Sequence, residues 1–174
     1  MGLPYDTSRD LEKIAEVHGR DFGKIVQKLL ALAFVEMGFR LAEERAVQGV
    51  DIDVVNEETG EKLSFEVKTR QQPEVTIKNK DIEGLESRRD NDGYRPYFAF
   101  LFKPHYLVEG WIIVPAGKVK KGTYRAMRLA SQDDGDLSRE INAVFPGLVE
   151  RVRDDLLSCR RGSALGMLKR KYGI

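Results

Sequence analysis

The sequence predicts an α/β protein: a mixed sheet flanked by helices, followed by a helical C-terminal extension. Three observations carry this. Helical and strand-like hydrophobic periods alternate through the first two thirds of the chain. The nearly continuous apolar run from Tyr97 to Phe102 has strand length and reads as a strand covered on both faces. Beyond about residue 129 only helical periodicity is left. With 174 residues, 41% hydrophobic and 33% charged, the chain is long enough to bury a core and too apolar for disorder.

Taken in order, Thr7 or Ser8 caps a first short helix through Val17, with Leu11 and Ile14 apolar and Gly19 interrupting it. The second helix has the strongest period: Phe22, Ile25, Val26, Leu29, Leu30, Ala33, Phe34 and Met37 recur at three- and four-residue spacing, and Gly38 closes it. Phe39 to Ala42 reads as a short strand. Val50 to Val55 and Leu63 to Lys68 alternate as strands around the turn-forming stretch Asn56 to Glu61, which makes a hairpin. A helix follows from Asn79, with Ile82 and Leu85 inward, and ends before Asn91-Asp92-Gly93. Trp111 to Val114 is a further strand stopped by Pro115. Lys118 to Arg128 reads as strand or loop, with the composition of a flexible phosphate-gripping arm. Leu137 to Leu157 is helical but broken at Pro146-Gly147, and a last helix runs from Ser163 to Tyr172. The expected organisation is an N-terminal helical segment over 1–18, a core over 19–128 and a helical extension over 129–174.

Several classes are excluded by composition. The longest apolar run, Leu29 to Val35, is far too short to span a membrane. Asp6 and Asp10 stand where an export signal needs a basic end and an apolar stretch, so an intracellular, cytoplasmic protein is expected. A lone Cys159 excludes an intramolecular disulfide framework and a cysteine-cluster zinc site, and two histidines, His18 and His105, argue against a histidine-rich one. The formal charge is +1, but it is unevenly spread: −5 over 1–77, +5 over 78–128, −4 over 129–157 and +5 over 158–174. Such blocks place basic surface beside an acidic centre, as an enzyme acting on phosphate through a metal requires, although an ordinary mixed surface has the same arithmetic.

The hairpin is where chemistry can sit. Strand side chains alternate, so Val50, Ile52 and Val54 share one face and Asp51 and Asp53 the other. Phe65 and Val67 likewise oppose Glu66 and Lys68. With the apolar sets on one core, Asp53, Glu66 and Lys68 come together on the opposite face. Adjacent carboxylates repel unless neutralised, and Mg²⁺ takes one or two carboxylates plus waters and substrate phosphate. The Val67 carbonyl offers one more oxygen, and Lys68 is placed to polarise the attacking water or offset transition-state charge. On a hairpin such residues are usually just solvated; here the strands read as central, where carboxylates need a reason to be.

These residues resemble the PD-(D/E)XK nuclease superfamily, and within it the archaeal-type Holliday junction resolvases, with weaker likeness to Mrr domains. The likeness runs from Gly19 to about Val114. It consists of the helix Gly23-Lys24-Ile25-Val26-Gln27-Lys28-Leu29-Leu30 leading to Gly38-Phe39, the strand Val50 to Val55 and the signature Phe65-Glu66-Val67-Lys68. A helix with Ile82, Leu85 and Arg88 follows, then the strand Phe98 to Phe102 and Trp111 to Val114. It implies a restriction-endonuclease-like fold and a metal-dependent DNA endonuclease, selective for branched or four-way DNA in recombination or repair. Mg²⁺, with Mn²⁺ as substitute, is the implied cofactor, no small-molecule cofactor is expected, and DNA and a second copy of the chain are the implied partners.

The resemblance assigns the metal-binding aspartate to Asp53, 13 residues before Glu66, leaves Asp51 as a supporting or phosphate-side carboxylate, and puts the acid and lysine on Glu66 and Lys68. Two departures stand out. Gln27 occupies a position where resolvases carry glutamate, which would weaken a second metal site; Glu36 or Glu16 is a spatial substitute. The loop from Ala42 to Gly49 lacks the serine some resolvases carry there. An inactive nucleic-acid-binding module, a restriction-type duplex endonuclease and a purely structural domain are the rival readings. Arg70, Lys78, Lys80, Arg88, Arg89, Lys118, Lys120 and Lys121 are the candidate phosphate contacts, with Arg125 and Arg128 beside them.

Overall fold

One strand, covered on both faces, organises the molecule. The computed structural model describes residues 2–42, 49–103 and 110–174. Its helices are α1 (Tyr5–His18), α2 (Phe22–Glu36), α3 (Asn79–Asp92), α4 (Ala126–Ala130), α5 (Gly135–Ser158) and α6 (Ala164–Tyr172). Its strands are β1 (Arg40–Leu41), β2 (Ile52–Val55), β3 (Lys62–Arg70), β4 (Glu74–Ile77), β5 (Arg95–Phe102), β6 (Trp111–Pro115) and β7 (Gly122–Arg125). The main sheet runs β1-β2-β3-β5-β6, with β3 and β5 parallel and the other pairs antiparallel. It is the mixed sheet expected. Among the described residues no helix is long and apolar enough to cross a membrane.

On β5, Tyr97, Ala99 and Leu101 face the larger core, with α1, α2, α5 and α6. Phe98, Phe100 and Phe102 face a second core made by Leu85 of α3, Val75 and Ile77 of β4, Tyr124 of β7 and Leu129 of α4. A ring chain ties the larger core together: Phe34 meets Phe65 at 4.7 Å between centroids, and Phe65 stacks on Tyr97 at 5.6 Å. Each such buried side chain stabilises by about 1.5–3 kcal/mol, so α2 is held across the two central strands and fixes where β3 sits.

Four expectations differ from the structure. The first helix begins at Tyr5 after Pro4, and Thr7 and Ser8 are buried inside it rather than capping it. Pro146 does not break α5: the helix is continuous because Ile141, Phe145, Leu148, Val149 and Val152 pack along one buried face, and this outweighs the missing N–H. Lys118 to Arg128 is no flexible arm but a short turn of 3₁₀ helix, β7 and α4, with the Tyr124 hydroxyl donating to the Lys120 carbonyl at 3.0 Å and accepting its N–H at 2.9 Å. And β4, in a stretch where the sequence predicts no strand, pairs with β7 in a separate two-stranded ribbon that covers the second core. His105 and the segment 43–48 lie outside the described residues.

Candidate active site

The hairpin turn determines which acids meet. Asn56 Oδ1 accepts the N–H groups of Glu58 and Thr59, and the Asn56 N–H donates to the Glu61 carbonyl at 2.8 Å. This closes a six-residue turn and sets Val55 opposite Lys62, Asp53 opposite Ser64 and Ile52 opposite Phe65. The regular pairing ends there: the Asp51 N–H donates to the carbonyl of Phe65, not of Glu66, at 2.8 Å, and Val50 packs against the second core instead of sharing a face with Ile52 and Val54, so the chain leaves strict alternation at Asp51. This departure brings the Asp51 carboxyl beside that of Glu66, while Asp53 stays opposite Ser64.

Asp53, opposite Ser64, shares the face of Glu66 but lies two residues nearer the turn. Its carboxylate accepts from the Ser64 hydroxyl at 2.6 Å and is ion-paired to Arg88, which also holds Asp92 at 2.6 Å and lies over the Tyr94 ring. This corrects two expectations at once. Asp53 is bound to a guanidinium rather than to the acid cluster, and Arg88, only 4% exposed, is a buried counter-ion and not a phosphate contact.

Around Asp51 the elements converge. The Asp51 Oδ2 accepts the Val67 N–H at 2.8 Å, and Gln27 of α2 donates its amide to the Asp51 carbonyl at 3.0 Å. Gln27 thus holds the backbone that presents Asp51. In a strand each residue's own N–H and C=O point to one edge, so the Val67 carbonyl faces the same side as its N–H, past the last ladder pair Ile52–Phe65. Lys68 Nζ donates to Glu66 at 2.6 Å and lies 3.1 Å from Asp81 of α3. Asp81 was missed by the sequence reading. Its local signal was its place three residues after Lys78 at the start of a helix, where its Oδ2 accepts the Lys78 N–H at 3.0 Å.

The electrostatics follow from crowding. Glu66 is 7% exposed, and burial together with the Asp51 carboxyl beside it pushes its pKa up to about 7, against the pull of Lys68. Asp51, on the open side, is raised by lost hydration, against the Val67 N–H and Lys68. Burial would lower Lys68, but its bonds to Glu66 and Asp81 raise it, and the N–H of Lys78 with the Lys68 ammonium holds Asp81 down despite its own burial. Two acids that resist ionising together are a charge deficit a cation can fill. Among the described residues no group of three or more His, Cys, Asp or Glu stands arranged to enclose a metal. The donors, two carboxylates and a backbone carbonyl, are the hard oxygen set from which Mg²⁺ is held while keeping waters.

The remaining candidates are dispersed. Ile77 pairs with Gly122, so Lys78 and Lys121 share one end of the ribbon, beside the first turn of α3 that carries Lys80 and Asp81. Lys78, Lys80, Lys120 and Lys121 are exposed. Arg70, exposed at the end of β3, donates to the Thr69 carbonyl at 3.1 Å. Arg89 is paired with Asp90 on the outer side of α3, and Lys118 reaches the Gln132 carbonyl at 3.3 Å. Glu36 is ion-paired to Arg151 at the far end of α2, and Glu16 is exposed on α1; neither supplies an acid where Gln27 stands. Cys159, at the end of α5, is half-buried with its sulfur 3.8 Å from His18 Nε2.

A model of the archaeal Holliday junction resolvase (Hjc) family matches residues 18–145. Among solved structures, Hjc from the archaeal hyperthermophile Archaeoglobus fulgidus, a Holliday junction resolvase, superposes with a TM-score of 0.55 at 16% identity, over 67% of this chain and 95% of that one. No curated protein sequence gives a match.

Proposed function

This chain belongs to the archaeal Holliday junction resolvase family of structure-selective, metal-dependent nucleases, and we propose that it is a Mg²⁺-dependent endodeoxyribonuclease acting on four-way DNA as a homodimer. The observation that carries the site is the Asp51 carboxyl lying beside that of Glu66, with Lys68 bonded to Glu66 on the same face of central β3. Asp51, Glu66 and the Val67 carbonyl would hold the cation, in place of the set built on Asp53. Held by these residues, such a cation would supply positive charge for the phosphate and lower the pKa of a bound water. Lys68 places its ammonium against the phosphate oxygens, where negative charge grows as phosphorus is attacked. Gln27 keeps the Asp51 backbone in position. Arg70, Lys78, Lys80, Lys120 and Lys121 bind flanking phosphates and set register without reading sequence. A two-fold enzyme suits paired incisions on a junction with two-fold symmetry.

A DNA-binding module without cleavage is the second reading, favoured by the neutral Gln27. The deciding experiment is a cleavage assay with Mg²⁺ or Mn²⁺ on linear, flapped and four-way DNA. The expected result is cleavage of the four-way substrate, abolished by Asp51→Ala and by Lys68→Ala but kept by Asp53→Ala in whatever fraction stays folded. Cleavage surviving Asp51→Ala or Lys68→Ala overturns the site. Salt-sensitive binding without cleavage by the wild type establishes the module instead.

A further inference from the structure

Asp81 is 1% exposed, and one of its oxygens, Oδ1, has no hydrogen-bond partner. Helix capping explains the bond its other oxygen accepts from the Lys78 N–H, but a cap works as well at a solvated rim. Burying a carboxylate with an oxygen unsatisfied is costly, and such groups are rare in folds without a reason. The second partner of Oδ2 supplies one: Lys68 Nζ, 3.1 Å away and also 2.6 Å from Glu66. The lysine therefore stands between two carboxylates, one of which, Glu66, has a second task. An ammonium and a divalent cation on one carboxylate repel each other. When Glu66 turns to the cation, Lys68 needs another anchor, and among the described residues Asp81 is the one acid besides Glu66 within ion-pair distance of it.

We propose that Asp81 is the positioning residue of the site: it holds Lys68 as Glu66 binds the cation, freeing the acid and keeping the ammonium aimed at the phosphate. The inference rests on Glu66 being a cation ligand. Its geometry is built by β4, which returns the chain so that α3 starts over the end of β3, and by Gly49 (φ +85°), whose backbone approaches the first turn of α3 so closely that a Cβ would lie 2.2 Å from the Lys80 carbonyl oxygen.

The test is calorimetric titration of Mn²⁺ into the full chain without DNA, for wild type, Asp81→Asn, Lys68→Gln and the double variant. The Asn side chain still accepts the Lys78 N–H but no longer competes for the ammonium. Asp81→Asn is expected to weaken Mn²⁺ binding by about tenfold, the worth of a charge-assisted hydrogen bond, and by less than about twofold when Lys68 is already Gln. On four-way DNA it should lower kcat at least about tenfold with KM nearly unchanged, the signature of an interaction made in the transition state. Equal weakening in both lysine backgrounds would show only a nearby negative charge and overturn the proposal, as would wild-type affinity. Should Asp81→Asn not fold, Asp81→Glu keeps the charge and displaces it; wild-type kcat in that variant refutes positioning. Glu66→Gln is run alongside: if it binds Mn²⁺ like wild type, the ligand assignment fails, independently of the cycle.

Discussion

Replacing Glu66 by Gln should make the metal-free protein more stable above neutral pH while abolishing cleavage. The substitution keeps the shape of the side chain and an oxygen that accepts from Lys68, and removes one of two crowded negative charges. Glu66 rises from its ordinary 4.5 to about 7. At about 1.36 kcal/mol for each pKa unit, ionising it in the fold costs up to about 3 kcal/mol more than in the unfolded chain. Because the folded value is the raised one, the contribution of Glu66 is fully favourable below about pH 4.5 and is lost as pH climbs through 7. For a chain of this size, about 3 kcal/mol corresponds to a Tm change of roughly 6–12 °C. Thermal unfolding in EDTA should therefore show nearly equal Tm for wild type and Glu66→Gln at pH 5. By pH 8.5 the variant should be the more stable by several degrees, and adding Mn²⁺ should raise the wild type alone. Parallel Tm profiles across that range would mean that Glu66 carries no charge strain, and the argument from crowding to a cation would fail.

Arg88→Ala leaves Asp53 and Asp92 without their cation, and losing one partner of a buried pair costs about 3–5 kcal/mol; the urea midpoint should fall accordingly, whereas Arg89→Ala, on the solvated side of the helix, should leave it unchanged. Gly49→Ala puts a Cβ where φ is +85° and the Lys80 carbonyl oxygen is 2.2 Å away; the backbone conformation alone costs about 1–2 kcal/mol, and prying α3 from the acids should lower cleavage well beyond what the Tm loss accounts for. Lys78→Gln with Lys121→Gln removes two cations from one end of the ribbon. The slope of log binding constant against log salt on four-way DNA should fall by about 2, and an unchanged slope would take the ribbon off the DNA path.

The elements were legible where their signal is local. The apolar stripe of α2 and the two-faced run of β5 leave no other burial to choose, so the mixed sheet could be read from them. What could not be read is register. Asp51 and Asp53 have the same parity, and alternation puts both on the acid face; the resemblance assigns Asp53, whereas the structure brings the Asp51 carboxyl beside Glu66. Part of the difference is the turn: the Asn56 side chain and Gly60 (φ +74°) close it with Val55 opposite Lys62, whereas Asp53 opposite Glu66 requires Val55 opposite Ser64; the rest is the break in regular pairing at Asp51. The ribbon has no local signature because β4 and β7 are four residues each and are separated in the chain by α3, β5 and β6. Neither carries enough apolar area to announce itself. Asp81 shows the same limit more sharply: its capping role is written in three neighbouring positions, but its approach to Lys68 exists only once the ribbon has turned α3 back over β3. The residues that supply the charge at the site are thus visible in the sequence, and those that aim it are set by long-range pairing. Substitutions at Asp81, Gly49 and Asn56 are accordingly where activity should change most for the least change in local composition.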